Sequence, residues 1–119
     1  MKNFHLLTAL LTALLFFSAC NKEKVERTIV DKTIRNAEIF VHTVGAFGDE
    51  EGATVSRQAS HYTTSILERD LNSIITYRYQ SVPGYTGTDE VEIKTSKGSD
   101  GSGPNTQIQY ITIRLTITN

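Results

Sequence analysis

The chain has 119 residues, with 12 Lys and Arg against 13 Asp and Glu and a formal net charge of −1 at pH 7. This length gives room for one domain, and a balanced charge without clustered Lys and Arg argues against a nucleic-acid partner. The single cysteine excludes an intramolecular disulfide, so one modest apolar core must hold the folded domain.

The N-terminus has the three parts of a secretory signal. Lys2 precedes an apolar run at residues 4–17, and the small residues Ser18 and Ala19 follow it. The run is shorter than the ~20 residues that a helix needs to cross a bilayer. The sequence therefore predicts a signal helix within a signal peptide at residues 1–19.

Cys20 directly follows these small residues. The segment "FSAC" at residues 17–20 resembles the lipobox of bacterial lipoproteins, with Phe17 where Leu is commonest. The resemblance implies that the signal is removed before Cys20, that Cys20 carries acyl chains such as palmitate, and that the protein is anchored in the bacterial cell envelope, at the outer membrane. Several chains anchor firmly, because each buried methylene contributes about 0.8 kcal/mol. The alternative is a conventional signal with an incidental cysteine.

The segment after Cys20 is dense in charge of both signs. It reads "NKEKVERTIVDK" at residues 21–32 and is too short and too polar to form a stable helix alone. We predict that residues 20–34 are the lipidated cysteine and a tether, with a first strand at residues 27–34 as an open alternative. The folded domain is predicted at residues 35–119.

The first half of the domain has weak strand patterns. β-branched and aromatic residues at residues 37–44 predict a strand that Gly45 bounds. "GAFGDEEG" at residues 45–52 predicts an exposed loop, and residues 53–60 predict a weak strand. "HYTTSILERDLN" at residues 61–72 fits either a strand with a turn at "RDLN" or one turn of helix.

The second half alternates clearly between apolar and polar residues, at residues 73–82, 89–95 and 108–118. The inward faces are predicted to carry Ile75, Tyr77, Tyr79, Val91, Ile93, Ile111, Ile113, Leu115 and Ile117. Such alternation predicts antiparallel strands with one face in water, and the Gly/Ser-rich residues 96–105 predict a flexible loop between the last two. Several short strands without a convincing helix indicate an all-β fold, an antiparallel β-sandwich, with a small barrel as the alternative.

One segment resembles a known family. "YRYQSVPGYTGTDEVEI" at residues 77–93 resembles the signature of bacterial cadherin-like and immunoglobulin-like repeats, in which a Tyr-rich strand leads through a Pro and an aromatic residue to Gly-Thr-Asp. The "DGSG" and "ITIRLTIT" segments match the hairpin and strand that follow there, so the resemblance covers about residues 55–118. It implies an immunoglobulin-like sandwich with a non-catalytic role in adhesion, assembly or structural interaction.

The same segment reads physically as a structural corner. Pro83 fixes φ and removes a donor where strand pairing stops. Gly84 and Gly87 can adopt positive φ. Asp89 can accept hydrogen bonds from backbone amides in an Asx-type turn, and Tyr85 can bury its ring while its hydroxyl bonds to the backbone. We predict that Pro83, Tyr85, Gly87 and Asp89 connect two strands.

Residues that could carry catalysis or bind a metal form no recognised motif. His42 and His61 match no ligand spacing, and no serine lies in a G-x-S-x-G elbow. The acidic loop with Asp49, Glu50 and Glu51 lacks the alternating acids of an EF-hand, although such loops can hold calcium. We predict no enzyme activity, no cofactor and no metal.

Four tyrosines are predicted as a possible ligand surface: Tyr62, Tyr79, Tyr85 and Tyr110. Grouped tyrosines offer a large contact area at low entropic cost, whereas ordinary cross-strand packing is the alternative. The sequence thus predicts a membrane contact through Cys20, no nucleic-acid partner, and a protein or glycan partner. The alternative function is a small binding lipoprotein that captures a glycan, a peptide or a protein.

Overall fold

The computed structural model describes residues 23–98 and 106–119, which form two β-sheets packed as a sandwich. The predicted signal helix, Cys20 and most of the predicted loop at residues 96–105 lie outside the described residues. The described part consists of strands and turns without a helix, which confirms the all-β prediction. Accordingly, no helix in that part has the length and hydropathy to span a membrane. The strands are β1 (Lys24–Arg35), β2 (Phe40–Ala46), β3 (Gly52–Arg57), β4 (Tyr62–Arg69), β5 (Ile74–Ser81), β6 (Gly87–Lys97) and β7 (Gln107–Thr118).

The strand order of the sandwich differs in one strand from that of a seven-stranded immunoglobulin domain. One sheet has the order β1-β7-β6-β3 and the other the order β2-β5-β4. Seven-stranded immunoglobulin domains place strands A, B, E and D in one sheet and C, F and G in the other. Here the first strand lies beside the last strand instead of beside β2. Among the described residues, no strand of one sheet pairs with a strand of the other. The fold is therefore not a closed barrel, which is the predicted alternative.

Strand β1 agrees with the open alternative of a first strand at residues 27–34, extends it at both ends, and replaces most of the predicted tether. All its residues from Lys24 to Arg35 pair with β7, and they do so in parallel, whereas the sequence predicts antiparallel strands. Only the residues before Lys24 therefore remain for the predicted tether. Pairing satisfies one side of the β1 backbone, which a solvated tether would leave to water.

The core lies between the inner faces of the two sheets. Its fully buried members come from the three strands with clear alternation, as the sequence predicts: Tyr77, Tyr79, Val91, Ile93, Ile113, Leu115 and Ile117. Phe40, Val44 and Leu67 close the core from β2 and β4, and Ile34 contributes from β1. Burial of these side chains is the main stabilising term of the fold.

Strand β4 turns a polar residue inward and an apolar residue outward. Ser65 is 4% exposed, whereas Ile66 is 46% exposed. The Ser65 hydroxyl lies 2.6 Å from the hydroxyl of Tyr77 on β5 and also bonds to Gln58, so its burial leaves no polar atom unpaired. Burial raises the pKa of Tyr77 to about 12, so its phenol stays neutral in this network.

The two ends of the sandwich carry different connections between strands. The corner end holds the turns that follow β1, β3 and β5. The loop end holds the start of β1 at Lys24 and the connections that follow β2, β4 and β6. The predicted structural corner lies at the corner end.

Candidate functional site

The corner end is organised around the carboxylate of Asp89 near the start of β6. The residue is 6% exposed. The backbone amides of Ser60 and His61 donate to its two oxygens at 2.8 and 2.9 Å, the amide of Glu90 donates at 2.9 Å, and the Tyr79 hydroxyl donates at 2.8 Å. The predicted Asx-type turn would be local, but two of these amides belong to the β3–β4 connection. One buried carboxylate therefore ties that connection to β5 and β6.

These contacts determine the protonation states of Asp89 and Tyr79. Burial, the largest effect, raises the pKa of Asp89, but the hydrogen bonds together outweigh it and lower the net pKa below its ordinary value. Burial, followed by the bond to Asp89, raises the pKa of Tyr79. Asp89 is thus a stable carboxylate beside a neutral phenol. Neither group titrates near neutral pH, as a general acid or base must.

Tyr85 packs against the same connection. Its ring stacks on that of His61, with centroids 4.1 Å apart and an interplanar angle of 9°. Its hydroxyl donates to the backbone oxygen of Thr88 at 2.5 Å. Gly87 lies beneath the ring with φ +137°, and a Cβ there would stand 3.0 Å from the Tyr85 hydroxyl. A side chain at position 87 would therefore disturb the packing of Tyr85.

Pro83 and Gly84 form the centre of a tight turn. The amide of Tyr85 donates to the oxygen of Val82 at 3.1 Å, and Gly84 has φ +84°. A Pro followed by a Gly with positive φ is the signature of a type II turn. The turn is clamped by Asn36, whose side-chain amide donates to the oxygens of Val82 and Tyr85 and accepts from the Gly84 amide. Asn36 is not among the predicted corner residues, although an Asn directly after a strand is a turn signal.

A polar groove lies beside this corner, on the outer face of the four-stranded sheet. It has a volume of about 510 Å³. Its lining includes a row of alternating charges across the sheet: Asp31, Arg114, Glu90 and Arg57. Arg114 bonds to Asp31 through two nitrogens, at 2.8 and 3.0 Å, and Arg57 bonds to Glu90. The hydrogen bond from Arg114 lowers the pKa of Asp31, and the same contact raises the pKa of Arg114.

The four charged side chains of this row form two ion pairs, Asp31–Arg114 and Arg57–Glu90. A polar ligand could exchange hydrogen bonds with their remaining donor and acceptor sites, because each pair is solvent-exposed. His61 also lines the groove, with its ring stacked on Tyr85. The groove thus offers hydrogen-bond donors and acceptors on its exposed ion pairs.

The four predicted tyrosines do not form one surface. Tyr79 is fully buried, because its register on β5 places it on the same face as Ile75 and Tyr77. Tyr62 lies on β4 and Tyr110 on β7, in different sheets. Arg27 covers the Tyr110 ring, with its guanidinium carbon 4.5 Å from the centroid. Tyr85 is partly buried against His61. A tyrosine platform is therefore not assembled.

The predicted candidates for metal binding lie apart in the described residues. His42 is on β2, where burial, followed by the charge of Lys32, lowers its pKa, whereas His61 is at the corner end. The carboxylate of Glu51 accepts hydrogen bonds from the amides of Gly48 and Gly98, both at 3.0 Å. These bonds lower the pKa of Glu51. The described residues contain no group of three or more His, Cys, Asp or Glu that could hold a metal.

Comparisons with known proteins identify no family for this chain. No protein-family model and no curated protein matches the chain. Among solved structures, the chain is similar to a cysteine protease inhibitor from Entamoeba histolytica, with 10% identity and a TM-score of 0.46. The match covers 78% of this chain and 96% of the inhibitor. A similarity of this size says nothing about function.

Proposed function

We propose that the chain is a non-catalytic lipoprotein of the bacterial cell envelope, anchored through Cys20, whose immunoglobulin-like domain serves adhesion, assembly or structural interaction. The leader at residues 1–19 and the position of Cys20 support the anchor. The observation that carries the non-catalytic role is the bonding of Asp89. Both oxygens of this buried carboxylate are occupied by donors from the protein itself, so the group stabilises the corner.

The outer face of the three-stranded sheet supports a protein partner. Val41, Arg78 and Ile66 stand opposite one another on β2, β5 and β4, and both apolar residues are about half exposed. Arg78 bonds to Glu68 at 3.2 Å. Apolar side chains beside an arginine are typical of interface centres, where arginine is enriched and lysine depleted.

The polar groove favours the second candidate function, a small binding lipoprotein that captures a glycan or a peptide. Its alternating charges and its place beside the rigid corner would suit a ligand with many hydroxyl or amide groups. The ligand would have to compete with the ion pairs Asp31–Arg114 and Arg57–Glu90 for hydrogen bonds.

Fatty-acid labelling tests the anchor. Cells that express the wild-type chain and the Cys20→Ala variant are grown with radioactive palmitate, and label is measured in the purified chain. We expect label in the wild type alone, and release of the variant from the membrane fraction. Equal labelling of both chains would refute lipidation at Cys20.

Site-specific photo-crosslinking separates the two functions. A photoreactive amino acid replaces Val41 on the three-stranded face, Thr116 in the groove, or exposed Thr54 on β3 as a matched control. We expect a protein adduct in intact cells from position 41 but not from position 54. An adduct from position 116 alone, identified as a glycan or a peptide by mass spectrometry, would favour the second function and contradict the first.

A further inference from the structure

We propose that the loop end of the sandwich rests on the lipid bilayer, with Leu71 in the membrane interface, and that the corner end points away from the membrane. The proposal depends on the anchor at Cys20 proposed above, because that anchor decides which end of the domain lies near the bilayer. It assigns a lipid-contact residue and fixes which surfaces remain free for a partner.

The length of chain between the anchor and the first strand restricts the orientation. Four residue steps separate Cys20 from Lys24, where β1 begins. Such a segment spans at most about 14 Å when fully extended. The start of β1 is part of the loop end, so this end is held within that distance of the acylated residue. A sandwich anchored so closely at one end presents its opposite end to the surroundings.

Leu71 is displayed at the loop end by a rigid turn between β4 and β5. Its side chain is fully exposed. The carboxylate of Asp70 accepts hydrogen bonds from the amides of Asn72 and Ile74 at 2.8 and 2.9 Å, and the oxygen of Asp70 accepts from the Ser73 amide. Ser73 has φ +61°. The turn thus has a fixed backbone that keeps Leu71 outside the core.

The Leu71 turn is linked rigidly to the rest of the loop end. The amide of Phe47 donates to the oxygen of Ser73 at 3.1 Å, and Arg69 donates to the oxygens of Phe47 and Glu51 at 3.0 and 2.8 Å. Phe47 also lines one depression together with Lys24 at the start of β1. These contacts connect the Leu71 turn, through Phe47, to the part of the loop end where β1 begins, so the fold places Leu71 at the end of the domain nearest the anchor.

Lipid is a better partner for this residue than a protein groove. An isolated exposed leucine is common on protein surfaces and by itself signals little. At the end of the domain that the anchor holds near the bilayer, the same side chain can leave water by a shallow insertion into the interface, as apolar side chains of membrane-bound proteins do. The groove and the Asp89 corner then remain accessible from the side away from the membrane.

Tryptophan fluorescence tests this orientation, because the chain contains no Trp of its own. Leu71→Trp and the matched variant Thr86→Trp, which replaces an exposed residue at the corner end, are made in the full chain. The processed proteins are purified from membranes and reconstituted in phosphatidylcholine vesicles with or without brominated acyl chains. We expect a blue-shifted emission and at least about twofold stronger quenching by brominated lipid for Leu71→Trp than for Thr86→Trp.

The outcomes separate this inference from the proposed anchor. Equal quenching of the two variants, or stronger quenching of Thr86→Trp, would overturn the orientation even when the intact mass shows acyl chains on Cys20. A purified chain without acyl chains would instead refute the proposed anchor. The same variants coupled through Cys20 to a maleimide phospholipid would then decide the orientation independently.

Discussion

A buried carboxylate stabilises a protein only while its oxygens have donors, and Asp89 depends on two amides that belong to another part of the chain. We predict that Asp89→Asn lowers the free energy of unfolding by about 2 kcal/mol, because the new amide group would face the donors of His61 and Tyr79. Urea denaturation measures the loss. Asp49→Asn, in an exposed loop, is the matched control and should change stability by less than about 0.5 kcal/mol. Equal losses in the two variants would show that the hydrogen bonds of Asp89 contribute no more to the free energy of unfolding than an exposed carboxylate does.

The lowered pKa of Asp89 also predicts a specific response to acid. A carboxyl group whose pKa is lower in the folded chain than in the unfolded chain binds fewer protons when folded. Its contribution is therefore complete above the unfolded value of about 3.9 and is lost as the pH falls through the folded value. We expect the stability gap between wild type and Asp89→Asn to narrow below about pH 4 in urea titrations. A gap that stays constant down to pH 2 would contradict the assigned ionisation.

At the scale of elements, β1 is the strand on which the sequence and the structure differ most. Ile34 is 6% exposed in the core, whereas Ile29 on the same strand is 58% exposed. We predict that Ile34→Ala costs about 3 kcal/mol, since it leaves a cavity in the core, and that Ile29→Ala costs less than about 1 kcal/mol. Thermal or urea unfolding distinguishes them. Two nearly neutral variants would mean that this segment is a solvated tether, as its polarity first suggests.

The sequence predicts best those strands in which the alternation of apolar and polar residues matches the alternation of buried and exposed side chains. Strands β5 and β6, and β7 from Ile111 onward, alternate strictly because each is paired on both sides and buried on one face. β1 is an edge strand, so Thr28 and Lys32 can occupy the side that it shares with Val30 and Ile34, and the alternation disappears. In β4, a hydroxyl partner on Tyr77 permits the inward Ser65. The alternation within one segment contains no information about contacts with residues distant in sequence.

The structure of the corner likewise depends partly on neighbouring residues and partly on contacts between residues distant in sequence. The turn at Pro83 and Gly84 follows from the φ preferences of two adjacent residues, so its sequence is sufficient to predict it. Two of the four donors to Asp89 come from residues 28 and 29 positions away, and Asn36 contacts the turn from 46 to 49 positions away. These contacts exist only after the two sheets have packed. The groove likewise depends on the register of four strands, which no single segment encodes.

For the whole molecule, stability has to come from one core without a disulfide, since Cys20 is the chain's single cysteine. A domain of this size is typically stable by about 5–13 kcal/mol. The loss predicted for Asp89→Asn is a substantial part of that range. A ligand that binds only the folded chain would raise the stability measurably, which makes thermal unfolding a sensitive assay for ion binding at the acidic loop between β2 and β3.

Calcium provides the clearest case. The carboxylate of Glu51 already accepts from the amides of Gly48 and Gly98, and a calcium ion at this carboxylate would have to compete with those bonds. We therefore predict that about 10 mM calcium raises the melting temperature by less than about 1 °C, and no more than magnesium does. A site with a dissociation constant of about 1 mM, the weak limit for extracellular modules, would add about 1.4 kcal/mol. In a domain of this size that gain equals about 6–11 °C. A rise of that size with calcium, absent with magnesium, would establish a calcium site at the loop end.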